Sequence, residues 1–269
     1  MTPAIENLLL ASSALAGQLS PLAVFEGLSG VEPIRPERQH AFETGFEQQV
    51  TPFVRVSVTA YNKQIRNFAD KDQFLDTGVI FPITLFAGRV TGFETRVDLA
   101  EVKGLRGFVS YANSRSFGIT PVTGGLFLTE SVDTLKQPAF RFPNDHDQRT
   151  SGHFRLIYTR RAGWWTAIGA RYDSGVPIEV PGEDFENEGI SSRILDEVNF
   201  ERGRVRPRTL WDFSGGLDLR RNDPVTIGLQ FDIQNLTGKF FIYNFESVFS
   251  GTHIGFPRLF SGRVVLKFR

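Results

Sequence analysis

The chain has 269 residues, 30 basic and 30 acidic side chains, 26 phenylalanines, 26 glycines and no cysteine. Balanced charge removes the basic excess that a nucleic-acid footprint needs, and the composition fits neither a disordered chain nor a helical membrane protein. No run of about 18 apolar residues occurs, so a membrane role would have to be carried by strands.

At the start, residues 8–17 (LLLASSALAG) have the apolar core and small-residue end of a secretion signal. No Lys or Arg precedes them, and Pro3 and Glu6 stand in the way, so the segment reads better as loop or strand end. The prolines at 21, 33 and 36 extend that reading, and residues 1–41 are expected to be an extracellular loop or strand-end segment. Met1 then looks like an internal or misassigned start.

From Phe42 onward, period-two alternation predicts nine strands, at 42–50, 53–65, 88–100, 105–115, 149–161, 164–174, 208–220, 225–236 and 259–269. In the second, Val54, Val56, Val58 and Ala60 oppose Arg55, Ser57, Thr59 and Tyr61. The eighth is the clearest, with Val225, Ile227, Leu229, Phe231 and Ile233 set against Thr226, Gly228, Gln230, Asp232 and Gln234. In the last, Phe260, Gly262, Val264, Leu266 and Phe268 form one face, and Ser261, Arg263, Val265 and Lys267 the other. A strand of about 9 to 11 residues with an apolar row and aromatic ends has the dimensions of a bilayer-crossing strand.

The connections alternate in length. Those at 51–52, 101–104, 161–163 and 221–224 are tight and rich in turn residues, whereas those at 66–87, 116–148, 175–207 and 237–258 are long. Structureless loops beyond about 12 to 15 residues are uncommon in compact soluble domains, while outer-membrane barrels pair short periplasmic turns with long external loops. A Greek-key sandwich would scatter its loop lengths, and a lipocalin-like barrel would face its large apolar residues inward. Phe53, Trp164, Trp165 and Trp211 lie near strand ends, where interfacial aromatic girdles form.

Short turns on the periplasmic side would end the last strand there and start the first one outside. A bacterial barrel that stands alone starts and ends inside with an even number of strands, so nine strands imply a segment of a larger barrel. One more strand within 1–41 would restore even parity and a small independent barrel or pore; a soluble β-sandwich binding module is the third alternative.

Residues 228–268 (GLQFDIQNLTGKFFIYNFESVFSGTHIGFPRLFSGRVVLKF) resemble the C-terminal end of TonB-dependent outer-membrane receptors and transporters, where a strand ending in N-L-T, here Asn235, Leu236 and Thr237, precedes a loop and a closing strand. Residues 35–50, 61–70 and 199–219 resemble the same barrel. The resemblance implies an all-β fold: an antiparallel transmembrane β-barrel portion of about nine to ten strands, at 42–269, from a barrel of about 22, forming an open curved sheet if isolated. It further implies import of a scarce nutrient such as a siderophore-like metal chelate, with outer-membrane lipid as surroundings and barrel-assembly machinery reading the final strand at Phe268. Arg269 departs from the usual aromatic terminus, and Gly262 lies one position early in the assembly pattern. The plug and the segment that contacts TonB are not recognisable in this chain, so contact with TonB would run through that missing plug.

Chemical motifs are sparse. His40, His146, His153 and His253 lie far apart without metal spacing, and residues 145–147 (Asp-His-Asp) read as a solvated turn. Asp70, Asp72 and Asp76 lack the glycine and closing glutamate of a calcium loop. Neither a nucleophile elbow nor a phosphate-binding glycine loop is present, and Gly124-Gly125 and Gly215-Gly216 are expected to serve a loop turn and close strand packing. The chain is therefore read as non-enzymatic, with no catalytic, cofactor-binding or metal-binding residue assigned. Phe68, Phe74, Phe81, Phe127, Phe185, Tyr243 and Phe245, with Arg141, Arg193 and Arg202, could bind an anionic or aromatic chelate or equally fold the loops onto one another.

Overall fold

A computed structural model describes residues 28–32, 34–73, 80–128, 140–160, 163–178, 189–219, 225–247 and 251–268. Nine long strands lie side by side: β2 (Arg38–Thr51), β3 (Val54–Gln73), β4 (Ile80–Val102), β5 (Leu105–Leu128), β7 (Thr150–Thr159), β8 (Trp164–Asp173), β11 (Arg208–Asp218), β12 (Val225–Gln234) and β15 (Leu259–Phe268). Each pairs antiparallel with its neighbours in chain order, so the sheet is an up-and-down meander whose two edges are β2 and β15. Two short strands, β1 (Leu28–Glu32) and β6 (Arg141–Pro143), add to the far part of β5. The sheet is open, as the sequence leads one to expect of the segment alone.

All nine predicted strands are present, but the connections differ. β3 continues to Gln73, β4 begins at Ile80 and β5 runs to Leu128, so much of the predicted loops at 66–87 and 116–148 is strand. Strands of 20, 23 and 24 residues are twice the length that a bilayer crossing requires, and the excess lies on the long-loop side. Leu85 and Val122 are buried there, with Phe68, Ile83 and Phe142 against them. That small core supports the extension locally, without the long period-two runs that mark the spanning parts. Gly124 lies in β5 paired with Thr84, in place of the expected loop turn.

The register sorts every side chain. Starting from Phe42 and Phe46, one face carries Val54, Val56, Val58, Phe93, Val97, Leu99, Val109, Tyr111, Phe154, Leu156, Ile168, Phe213, Leu229, Phe231, Phe260 and Val264, each set through direct cross-strand partners. Phe42, Phe46, Phe260 and Val264 are more than 60% exposed, an apolar surface far beyond what a soluble monomer presents. Aromatics bound the row at both ends. Tyr158 meets Trp164 edge-to-face at 5.5 Å near the short turns, and Phe93 with Tyr111, Tyr172 and Trp211 lie toward the loops. Between Trp164 and Tyr172 the strand covers about 26 Å, or about 20 Å across a bilayer at the usual tilt.

Trp165 belongs to the opposite face, so only the first tryptophan of the pair joins the girdle. Its indole lies over Gly216, where a Cβ would come within 2.6 Å of Nε1 and 2.8 Å of the Leu229 carbonyl. Tyr61 covers Gly92 in the same manner. Such aromatic–glycine pairs fix register in curved sheets. Gly216→Val is expected to displace Trp165 and cost about 1–3 kcal/mol, seen as a red-shifted indole emission and a lowered unfolding midpoint.

Candidate functional site: the concave face and the loop-side rim

The face opposite the apolar row carries charge. Arg55 bridges Glu47 at 3.4 Å and Asp98 at 3.6 Å, while Arg96 holds Asp98 at 2.8 Å and stacks its guanidinium 3.9 Å over Phe108. Farther along the sheet, Arg171 pairs with Asp212 at 3.3 Å and Gln230 donates to Asp232. The small residues Ala167, Gly169 and Ser214 leave a depression of about 160 Å³, edged by His153, Arg155, Arg171, Asp212 and Phe108. A polar wall of alternating sign suits a water-filled interior.

Toward the long connections, the strand ends are tied by buried ions. Asp147 is 1% exposed; its Oδ1 accepts the Ser116 amide at 2.7 Å, and its Oδ2 accepts from Arg149 at 2.5 Å and from Arg204. Arg204 also donates to the carbonyls of Asp147 and Gly175. Arg208, 6% exposed, reaches Asp173 at 3.0 Å and the Ile242 carbonyl at 2.9 Å, under the rings of Phe241 and Tyr243. Gln148 completes the set by donating to Asp173 at 2.7 Å. The expectation of a solvated turn at 145–147 is thereby corrected: Asp145 and His146 are at the surface, but Asp147 is drawn under Arg204, a residue 57 positions away.

Above this layer the connections fold on themselves. Helix α1 (Ser192–Leu195), the ribbon β9 (Val198–Asn199) with β10 (Arg204–Val205), and the hairpin β13 (Ile242–Ser247) with β14 (Gly251–Ile254) enclose Val198, Val205, Ile242 and Phe245. Of the aromatics and arginines named from sequence, Phe245 is in this core, edge-on to Phe200 at 5.9 Å, and Arg193 lies 4.1 Å over Phe240. Phe68 packs with Leu85, Arg141 stacks 5.5 Å from Phe117, and Tyr243 remains 42% exposed over Arg208. Arg202 sits in the short turn that Asn199 caps. Phe74 and Phe185, and the side chains of Phe81 and Phe127, fall outside the described residues. Sequence reasoning missed Asp147, Arg204 and Arg208, whose partners are remote in sequence.

The N-L-T motif acts as a cap. Asn235 has φ of 51° and is 4% exposed; its side chain donates to the carbonyls of Lys239 and Phe256 at 2.8 and 3.2 Å and accepts from the Lys239 amide at 3.0 Å. Its own amide donates to Asp212 at 2.9 Å, linking the turn to the concave face. Asn tolerates this left-handed backbone and bonds it locally. Asn235→Ala strands those groups and is expected to cost about 2 kcal/mol, with Asn235→Gly losing less; hydrogen exchange at the Lys239 amide measures both.

Among the described residues no group of three acidic, His or Cys side chains is placed to hold a metal ion, and no helix is long and apolar enough to cross a membrane.

No known family's sequence model matches the chain, and no curated protein does. Solved structures do. The ferric-catecholate import receptor Fiu of E. coli K12 aligns over 86% of this chain and 28% of its own, at 14% identity and a TM-score of 0.54. The copper transporter OprC aligns over 86% and 31%, at 13% identity and 0.56. The FrpB iron transporter of Neisseria meningitidis gives 87% and 31%, 14% and 0.53. The chain thus spans less than a third of the length of each of these three proteins. The described sheet has the fold of a segment of the β-barrel of TonB-dependent outer-membrane receptors.

Proposed function

We propose that this chain is the C-terminal portion of the barrel of a TonB-dependent transporter, resident in a bacterial outer membrane, that imports a scarce nutrient such as a metal chelate and performs no catalysis. The observation that carries this reading is strand direction at the two edges. β2 and β15 both run from the long-loop side to the short-turn side, because the nine strands from β2 to β15 alternate in direction. An antiparallel closure of this sheet therefore needs a complement with an odd number of strands whose edges run the opposite way; self-closure supplies none, and the nine strands of a second copy in the same membrane orientation present edges that run the same way and leave parallel seams. A barrel of about 22 strands meets the condition with 13 more.

In this reading the apolar face meets outer-membrane lipid, and the concave ladder of Arg55, Arg96, Asp98, Arg171 and Asp212 lines the interior. The assembly machinery would engage β15 up to Phe268, whose backbone pairs with Val225; its side chain and Arg269 lie outside the described residues. A plug and its contact with TonB belong to the complement. The transport of iron and copper by the structural neighbours supports import of a metal species and leaves its carrier open. Reading the coding sequence upstream of codon 1 tests the proposal. An in-frame extension encoding further alternating strands and a plug is expected; a stop codon directly upstream of a functional secretion signal would overturn it.

A further inference from the structure

On the apolar face, at the level of the short turns, a groove of about 680 Å³ runs between two lips. One lip is Phe53, Val54 and Leu99; the other is Leu105 and Tyr158; Val102 and Lys103 close its end. Val54 pairs with Leu99 and Leu105 with Tyr158, so both lips belong to the outer row. Beside the groove, Gly107 pairs with Leu99 on one side and Leu156 on the other. A Cβ at Gly107 would meet the Arg155 carbonyl at 2.3 Å and the Leu156 side chain at 3.2 Å, so a larger residue there would move the sheet beside the groove. The groove is lined from five consecutively paired strands, β2, β3, β4, β5 and β7, with Thr51 contributed by the edge strand β2.

Its polar groups are few and differ in availability. The Thr51 hydroxyl already accepts the amides of Phe53 and Val54 at 3.2 and 3.0 Å. Lys103 is at the tip of the β4–β5 turn with φ of 50°, exposed, and forms no ion pair among the described residues. The aromatic pair Tyr158–Trp164 marks this height as the membrane–water boundary. An apolar channel in the outer row that ends at an unpaired cation, at the depth where headgroups lie, matches a molecule with an acyl chain and an anionic head.

We propose that this groove is a binding site for one anionic phospholipid of the leaflet on the short-turn side, its acyl chain along Val54, Leu99 and Leu105 and its phosphate on the Lys103 ammonium. The site rests on the membrane reading given above and adds to it a discrete lipid position on a surface otherwise in contact with lipid at large.

The test uses the complete barrel to which the proposed function assigns this chain, incorporated into phosphatidylcholine vesicles that hold a small fraction of phosphatidylglycerol with a photoactivatable acyl chain. Protease protection reports incorporation, and mass spectrometry of the irradiated chain locates the crosslinks. Crosslinks concentrated on residues 51–54 and 99–105 are expected, reduced about fivefold by Lys103→Glu, restored by Lys103→Arg, and reduced similarly by Leu99→Trp, which fills the groove. Crosslinks spread evenly along the apolar face of all nine strands, or unchanged in Lys103→Glu, would overturn the site while leaving the membrane reading intact. A complete barrel that gains no protease protection would overturn both.

Discussion

Ile168→Arg is expected to abolish stable incorporation into a bilayer while Gln230→Arg is tolerated, although both put a cation on a central strand. Ile168 lies on β8 midway between Trp164 and Tyr172, in the outer row, with Leu156 and Phe213 as its direct cross-strand partners. An arginine there sits near the bilayer midplane, where outward-facing Lys or Arg costs about 2–4 kcal/mol, a factor of about 30 to 1,000 in the folding equilibrium. Gln230 occupies the other face of β12 beside Asp232, which accepts its amide at 2.8 Å and would accept a guanidinium equally well. Heat-modifiable electrophoretic mobility of the complete barrel after refolding into vesicles reads both variants. If they incorporate equally, the two faces of the sheet do not differ as lipid and water surfaces, and the membrane reading falls.

That contrast rests on a pattern visible in the sequence. Alternation at Val225–Ile233 and at Phe260–Phe268 placed those strands and their faces, because a spanning strand has lipid on one side and water on the other along its whole length. The alternation stops after about one bilayer's length of strand. Beyond it, Phe68, Leu85 and Val122 turn inward to a local core, and both faces of β3 to β5 carry mixed residues, so the extensions read as loops until their pairing is seen. Trp164 and Trp165 show the limit in the other direction: adjacent aromatics suggest a girdle, but adjacent residues on a strand face opposite ways, and Trp165 packs on Gly216 instead. The rim was the least legible part. Asp147 and Arg204 are single charged residues in segments without periodicity and Arg208 opens a predicted strand, and only the pairing of β8 with β11 and the folding of the connections set Asp173 beside Arg208 and Asp147 beside Arg204.

Asp147→Ala is expected to release the rim and the loop core above it without disturbing the spanning strands. The carboxylate is fully enclosed, while Arg204 keeps 18% and Arg149 42% of its side chain exposed, so removal leaves one largely desolvated guanidinium and one that water can serve. Breaking a buried pair by deleting one partner costs about 3–5 kcal/mol, and the partial exposure of both arginines puts this site near the lower end, about 3 kcal/mol. The Ser116 amide loses its acceptor at the same time, which links β5 to the loss. Arg204 also anchors the ribbon whose Val205 joins Val198, Ile242 and Phe245, so its release is expected to expose that core. Hydrogen exchange should accelerate at Ser116 and Val205 and stay slow at Ile168 and Phe231, and limited proteolysis should cut first within 189–207. Asp147→Asn, which keeps the Ser116 acceptor and loses the charge, should fall between the two. Uniform acceleration across the spanning strands would mean instead that the rim and the barrel wall unfold as one unit, and that the ion cluster belongs to the stability of the whole sheet.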